Sequence, residues 1–339
     1  MPDPIEELEE ALSEPTHGVI ETLKRRHGDI VILGVAGKMG PSLARMAQRA
    51  SAKAGAPRRI IGVARFNDSK AEKSLQDHGV QTVRCDLLDE EAVVKLPDAP
   101  NVIFMAGMKF GATGNEARTW AMNCFLPSLV CRRYASSRIV AFSTGNVYGL
   151  SPVSEGGATE QTVPQPVGEY AMSCLGRERM FEHFSREAKI PLTLLRLNYA
   201  CDLRYGVLVD LAQRIWNEEP IDVTMGFFNT IWQRDANAQA LQALDHASVP
   251  PRVLNITGPE LLKVRDVSEQ VAARMNRRVS FTGSESNNAI LSNARLAESL
   301  FGLPSLSAVQ LIDRVADWVM QDRPTLHKPT HFESRDGAF

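Results

Sequence analysis

The feature that most constrains this chain is Asp29-Ile30-Val31-Ile32-Leu33-Gly34-Val35-Ala36-Gly37-Lys38-Met39-Gly40-Pro41. A short run of apolar, mostly β-branched residues stops at a glycine, and two more glycines follow at three-residue spacing. Residues 41–47 then carry helical apolar spacing, so the pattern is strand, tight turn, helix. Gly34 permits the sharp turn, Gly37 lets backbone come close to a pyrophosphate, and Gly40 lets the helix pack on the strand. The helix N-terminus offers N–H groups and a positive dipole end to phosphate. A dinucleotide site is expected here, with an ordinary glycine-rich βα turn as the alternative.

A regular alternation follows. Residues 59–64 form a second strand, 81–87 a third with an acidic end, and 101–107 a fourth. Residues 119–135 have helical spacing and carry Asn123, 138–144 form a fifth strand ending in hydroxyl residues, and 191–197 a sixth. Strands and helices alternating through right-handed crossovers predict an α/β fold, a Rossmann-type doubly wound parallel sheet. Its ligands sit beyond the carboxyl ends of the strands. The expected divisions are a helical N-terminal extension over 1–28, a dinucleotide-binding domain over 29–198, and a smaller C-terminal α/β substrate-binding part over 199–322, interleaved with it. A tail covers 323–339. The extension reads as an acidic helix over 5–12 and a second helix over 15–27, packed on the domain surface; covering a site or a partner is the alternative. The aromatics of the tail, Phe332 and Phe339, predict that it lies on the surface or against a neighbouring subunit, with a direct part in the site as the alternative.

Composition narrows the functional classes. The 339 residues carry a net charge of -2, which gives no basic excess for nucleic acid or for an anionic membrane. No apolar run is long enough to span a bilayer and no apolar leader is present, so a soluble cytoplasmic protein with a small-molecule substrate is expected. Cys85, Cys124, Cys131, Cys174 and Cys201 are odd in number and scattered, which suits reduced thiols. The seven histidines form no HExxH or comparable cluster, so no metal site is expected.

The end of the second strand bears on the cofactor. An acid there bonds the adenosine ribose hydroxyls of NAD, but this strand ends in Ala64-Arg65. An arginine offers a charged fork of donors to a 2′-phosphate, and Lys38 adds a second positive charge. NADP is therefore expected, with NAD as the alternative, unless Arg65 simply begins a surface loop.

From about residue 29 to 322 the chain resembles the extended short-chain dehydrogenase/reductase superfamily, the NAD-dependent epimerase/dehydratase group. The resemblance rests on Gly34-x-x-Gly37-x-x-Gly40, Asp86-Leu87, Met105-Ala106-Gly107, Asn123, Ser143-Thr144-Gly145-Asn146-Val147-Tyr148-Gly149, Tyr170-Ala171-Met172-Ser173 and Leu195-Arg196-Leu197-Asn198. Asn255-Ile256-Thr257-Gly258 and Ser292-Asn293-Ala294-Arg295-Leu296 are later landmarks. It implies a cofactor held by Gly34, Gly37, Lys38, Met39, Gly40, Arg65, Asp86, Leu87, Ala106, Gly107, Asn123 and Tyr170, and a substrate facing Thr144, Asn146, Asn198 and Arg204. It also implies a homodimer through the helices around Asn123 and Tyr170.

In that family a tyrosine exchanges a proton with the substrate oxygen, a serine or threonine holds that oxygen, and the nicotinamide takes or gives a hydride. A lysine one helical turn on lowers the tyrosine pKa and holds the ribose. Carried over, Tyr170 is the acid/base and Thr144 the hydroxyl, but the lysine position is Cys174. Free tyrosine titrates near 10, so a base at neutral pH needs a cation beside it, and a thiol supplies none. Lys109, just past the fourth strand in Ala106-Gly107-Met108-Lys109-Phe110-Gly111, is a candidate replacement. The alternatives are a catalytically silent NAD(P)-binding sensor or assembly protein, and a Tyr170 that only donates its proton in the reducing direction. Cys174 as a nucleophile, with Arg177 lowering its pKa, is disfavoured because burial in mid-helix leaves a thiol inert.

For the substrate, Arg204 and Tyr205 are candidates to grip an anionic or polyhydroxylated molecule, or else are loop anchors. In nucleotide-sugar enzymes an arginine near the start of the stretch Phe227–Asp235 contacts the diphosphate, and the approximate equivalent here is Phe228. The reading is an NAD(P)-dependent oxidoreductase or epimerase acting on a hydroxyl or carbonyl of a small carbohydrate or sugar acid. A nucleotide-sugar epimerase/dehydratase is a further alternative. Asp235 is expected to cap the helix that follows it.

Overall fold

Seven short strands pair into one parallel sheet in the computed structural model, which describes residues 3–109, 111 and 113–337. They are β1 Ile30–Leu33, β2 Ile60–Ala64, β3 Gln81–Arg84, β4 Asn101–Phe104, β5 Arg138–Thr144, β6 Leu192–Leu197 and β7 Arg252–Ile256, in the order β7-β6-β5-β4-β1-β2-β3. Ile30 stands opposite Ile60 on one side and Asn101 on the other, so β1 lies between β2 and β4. The winding reverses there, and the carboxyl ends of β1 and β4 leave a crevice. β1, β2 and β4 are buried along their whole length, as strands covered by helices on both faces must be.

The helices are α1 Pro4–Leu12, α2 His17–Arg25, α3 Gly40–Lys53, α4 Ser69–Asp77, α5 Glu90–Val94, α6 Glu116–Trp120, α7 Leu126–Arg133, α8 Gly168–Ala188, α9 Val207–Trp216, α10 Gln233–Gln242, α11 Val264–Met275, α12 Arg295–Phe301 and α13 Ala308–Met320. Leu43 and Met46 of α3, Val19 and Leu23 of α2 and Leu241 of α10 close one face of the sheet over Ile30, Ile32 and Ile103. Leu126, Leu129 and Val130 of α7 and Phe181 of α8 close the other over Val31, Leu33 and Val102. α9, α11 and α13 build a second apolar cluster around Leu211, Val271 and Val315, and Leu8 and Leu12 of α1 join it. The N-terminal extension thus packs on the body. Its acids pair with α3, Glu6 and Glu10 each meeting Arg45 at 2.7 and 2.6 Å, and Leu12 and Leu23 are fully buried. Among the described residues no helix is long and apolar enough to cross a membrane.

Three elements differ from expectation, each for a local reason. The helix expected over 119–135 is α6 and α7 joined by a π-turn over Ala121–Phe125. Pro127 has no N–H to give the Asn123 carbonyl, which accepts from Arg177 Nε at 3.3 Å instead. Asp235 does not cap α10: it lies inside the first turn, and its Oδ2 accepts from the Ser305 N–H at 2.9 Å and hydroxyl at 3.0 Å. The stretch around Asn255, expected only as a landmark, belongs to the edge strand β7.

Candidate active site

The glycine turn has three different steric demands. Gly34 sits at φ +88°, and a Cβ there would lie 2.7 Å from the backbone nitrogen of Ala106 at the exit of β4. A Cβ on Gly40 would overlap the Val35 carbonyl oxygen and lie 2.6 Å from its carbon, so this glycine lets α3 close onto the turn. At Gly37 the nearest atom, the Gly34 carbonyl oxygen, would be 3.4 Å away and the remaining space is open. α3 has no side-chain cap on its first N–H groups. An open glycine beside an uncapped helix start fits a pyrophosphate.

The cleft has a lobe on each side of that turn. One, of about 440 Å³, is lined by Ala64, Arg65, Asp68, Asp86, Leu87 and Ala106. The other, of about 490 Å³, is lined by Lys38, Met39, Lys109, Thr144, Asn146 and Tyr170 among others. Gly34, Gly37 and Gly107 border both, as the two halves of a dinucleotide bent over its pyrophosphate require. Asn123 lines neither lobe. It is fully buried, and its Oδ1 accepts from the Met108 N–H at 2.9 Å and Arg177 Nη2 at 2.5 Å. Its Nδ2 donates to the Met108 carbonyl and the Ser173 hydroxyl, both at 2.9 Å, tying the loop after β4 to α8.

α8 carries Tyr170 and is keyed to the sheet by a buried ion pair. Arg196 of β6 donates to both Glu178 oxygens at 3.0 and 2.7 Å, and Ser143 donates to Glu178 Oε1 at 2.5 Å. The Tyr170 phenol hydrogen-bonds Thr144 and Cys174. Burial above all, and then Cys174, push the phenol well above its ordinary range; Arg177 and the Thr144 hydroxyl pull it down. Cys174 is fully buried and its thiol is pushed up by burial, with Arg177 opposing that, so it stays neutral and is no nucleophile.

Arg177 is the feature that sequence reasoning undervalued. It follows Tyr170 by seven residues and so shares its helical face, and it lines the second lobe. Only 5% exposed, it donates through Nη1 to the Phe142 carbonyl at 2.9 Å, and its guanidinium lies 5.5 Å from the Phe104 ring centroid. Its hydrogen-bond partners are carbonyl oxygens, and among the described residues it has no carboxylate in ion-pair reach. A buried cation in that setting favours negative charge nearby. Lys109 also comes to the tyrosine, its Nζ 6.0 Å from the Tyr170 ring centroid and donating to the Thr330 carbonyl at 3.3 Å; burial lowers its pKa to about 8. Phe110, its expected neighbour in the loop, lies outside the described residues.

Of the residues expected to face a substrate, Thr144, Asn146 and Asn198 line the second lobe. Thr144 donates to Asn146 Oδ1 at 3.0 Å, and Asn198 Nδ2 donates to Asn229 Oδ1 at 2.7 Å. Arg204 does not line either lobe. It is spent on Asp202 and Glu9, each at 2.7 Å, and acts as a loop anchor, whereas its neighbour Tyr205 lines the second lobe with Lys38 Nζ 3.2 Å from its ring centroid. The tail differs most from expectation. It crosses the body so that Lys328 and Thr330 line the same lobe, and Phe332 is buried against Phe228 with ring centroids 6.2 Å apart. Phe339 lies outside the described residues. No spacing in the tail signals this; its aromatics are the one available hint.

The family model for the NAD dependent epimerase/dehydratase family matches residues 30–201. Among solved structures, the chain is similar to UDP-glucuronic acid 4-epimerase from Bacillus cereus, in complex with UDP-glucuronic acid and NAD: 17% identity over 86% of this chain and 99% of that one, TM-score 0.71. It is similar to the UDP-glucose 4-epimerase of Thermotoga maritima with UDP-glucose, at 17% identity over 87% and 99% of the two chains, TM-score 0.70. A dTDP-glucose 4,6-dehydratase from Bacillus anthracis in complex with NAD matches at 17% identity over 87% and 97%, TM-score 0.69. These likenesses bear on the fold. Among curated proteins none matches the sequence.

Proposed function

Because the chain belongs to the NAD-dependent epimerase/dehydratase family and is an enzyme of the extended short-chain dehydrogenase/reductase type, we propose that it oxidises or reduces a carbohydrate hydroxyl or carbonyl in the second lobe. The observation that carries this reading is the meeting of the Tyr170 and Thr144 hydroxyls in a lobe bordered by the glycine turn. When bound, the nicotinamide supplies the hydride acceptor or donor. Gly34, Gly37, Gly40 and the start of α3 hold the pyrophosphate, with Asp86, Leu87 and Arg65 on the adenosine side. Arg65 supports NADP; NAD, which two of the neighbours carry, is the second reading.

Thr144 holds the substrate oxygen and Tyr170 moves its proton. With its pKa raised by burial, Tyr170 stays protonated, which is the form the reducing direction needs as its proton donor. In the oxidising direction it must give up a proton first, and Arg177 and Lys109 supply the positive charge that Cys174 does not. Residues 29–198 carry the nucleotide, and the part over 199–322 adds Tyr199, Tyr205 and Gln233 to the substrate wall. Exposed Phe125 and Met172, on the helices flanking Asn123 and Tyr170, support pairing of two copies there.

A small carbohydrate or sugar acid is favoured because Phe228, where an arginine would meet a diphosphate, is packed under Phe332. A nucleotide sugar is the second reading, favoured by the ligands of the Bacillus cereus and Thermotoga maritima structures. Replacing Tyr170 by Phe tests the proposal. Turnover is expected to fall by a factor on the order of 10²–10⁴ with nucleotide affinity kept. Unchanged turnover in Tyr170→Phe would overturn it.

A further inference from the structure

Three lysines from distant parts of the chain line the second lobe: Lys38 from the glycine turn, Lys109 from the loop after β4, and Lys328 from the tail. Like charges gathered in a cavity repel one another, and desolvation adds to the cost. The effect is visible at Lys38, whose pKa falls to about 7 through burial first and then Lys109 and Lys328. Asp210 and Asp202 offset this only in part. Asp210 Oδ2 already accepts from the Thr330 N–H at 2.8 Å and hydroxyl at 2.6 Å. A pyrophosphate at the glycine turn answers the charge of Lys38. Lys109 stands on the Tyr170 side of the lobe, its Nζ 6.0 Å from that ring centroid, with Asp210 and Glu333 within electrostatic reach, and Lys328 lines the same lobe.

The tail is a fixed part of this wall. Thr330 is 2% exposed and Phe332 4%, and Glu333 pairs with Arg214 at 3.3 Å. Arg335 donates to the Asn288 carbonyl at 3.1 Å. At its far end, a Cβ on Gly168 would lie 2.6 Å from the Gly337 carbonyl oxygen, and one on Gly337 would overlap the Val167 carbonyl oxygen. Gly168, at φ +80°, opens the helix that carries Tyr170 two residues later, so tail and catalytic helix seat each other.

Resting on the reading that Tyr170 works on a carbohydrate in this lobe, we propose that the C-terminal tail walls the substrate pocket and that Lys328, with Lys109, binds an oxyanion on that substrate. A carboxylate of a sugar acid and the phosphate of a sugar phosphate share the required chemistry. Lys328 is exposed and contributes modestly, whereas the partly buried Lys109 contributes more.

The test is equilibrium binding of gluconate, glucose 6-phosphate and glucose to the protein saturated with nucleotide, by calorimetry. At least one anionic ligand is expected to bind about tenfold or more tightly than glucose. The gluconate and phosphate arms identify which oxyanion fits. Lys328→Gln is expected to reduce the preference by about fivefold and Lys328→Arg to restore it, with nucleotide affinity unchanged. Equal affinity for the three ligands, no binding of any of them, or a preference untouched in Lys328→Gln would each overturn the inference. Failure of the nucleotide itself to bind is a separate outcome, which would bring down the functional reading beneath it.

Discussion

The two glycines at positions 37 and 40 give opposite outcomes on substitution by alanine if the turn cradles a pyrophosphate. At Gly40 the new Cβ would overlap the Val35 carbonyl oxygen, 2.6 and 2.8 Å from the carbonyl carbon and Cα of that residue. These are backbone atoms of a fully buried residue in the turn after β1 and cannot swing aside. Overpacking of this kind costs about 1–3 kcal/mol or more, and the gain in helix propensity, about 1 kcal/mol, does not offset it. Gly40→Ala is expected to lose about 2 kcal/mol of stability. At Gly37 the closest atom would be 3.4 Å away and the backbone is not left-handed, so Gly37→Ala is expected to stay within about 0.5 kcal/mol of wild type. Its methyl instead occupies space in the cleft, and nucleotide affinity is expected to fall at least about tenfold, or 1.4 kcal/mol. Urea unfolding gives the first quantity and calorimetric titration with NAD or NADP the second. A Gly37→Ala protein that binds nucleotide like wild type would refute the cradle, and a Gly40→Ala protein of undiminished stability would refute the packing.

Two more predictions follow from the charges around Tyr170. Lys38 has a folded pKa of about 7 against 10.5 as the ordinary value, with Lys109, Lys328, Asp210 and Asp202 facing it. Between those values the unfolded chain binds more protons, so the nucleotide-free protein is expected to gain stability as pH rises above about 7, and Lys38→Met to flatten that slope in urea titrations; equal slopes would sink the idea. Cys174→Lys places an ammonium one turn from Tyr170. The acidic limb of the pH–rate profile for substrate oxidation, where the rate rises as the base loses its proton, is expected to move down by about a unit or more, at some cost in stability because the site is fully buried. A profile that does not move would mean that Tyr170 is not the titrating base.

Legibility followed periodicity and length. β5 over Arg138–Thr144 lies where the sequence predicts it, because a long apolar run leaves little choice. The glycine turn was legible for the same reason, each glycine having a distinct steric task. β7 was not, since Arg-Val-Leu-Asn-Ile at a sheet edge has neither a full run nor clean alternation. The π-turn goes with Pro127, which leaves the Asn123 carbonyl to Arg177, 54 residues on, a contact no local pattern reveals. Lys109 was visible from its place after β4, whereas Arg177 entered only as a neighbour of Cys174, although its seven-residue spacing puts it on the Tyr170 face of the helix. The tail was hidden because a chain without periodicity reaches a cavity only through tertiary contacts such as Phe228–Phe332. Arg204 failed in the other direction: Asp202, two residues away, and Glu9, in a helix with no pattern linking it to the site, take its guanidinium.

The central claim, that the second lobe exchanges hydride between a nicotinamide and a carbohydrate under the hand of Tyr170, is tested most directly by the near-ultraviolet absorbance of the bound nicotinamide. Nucleotide-saturated protein would be mixed rapidly with neutral sugars, sugar acids, sugar phosphates and nucleotide sugars. Reduction of the oxidised nucleotide by at least one class is predicted, with the signal lost in Tyr170→Phe while the nucleotide stays bound. Saturated wild-type protein that never changes absorbance with any of these classes, or a Tyr170→Phe protein that reduces the nucleotide as fast as wild type, would contradict it.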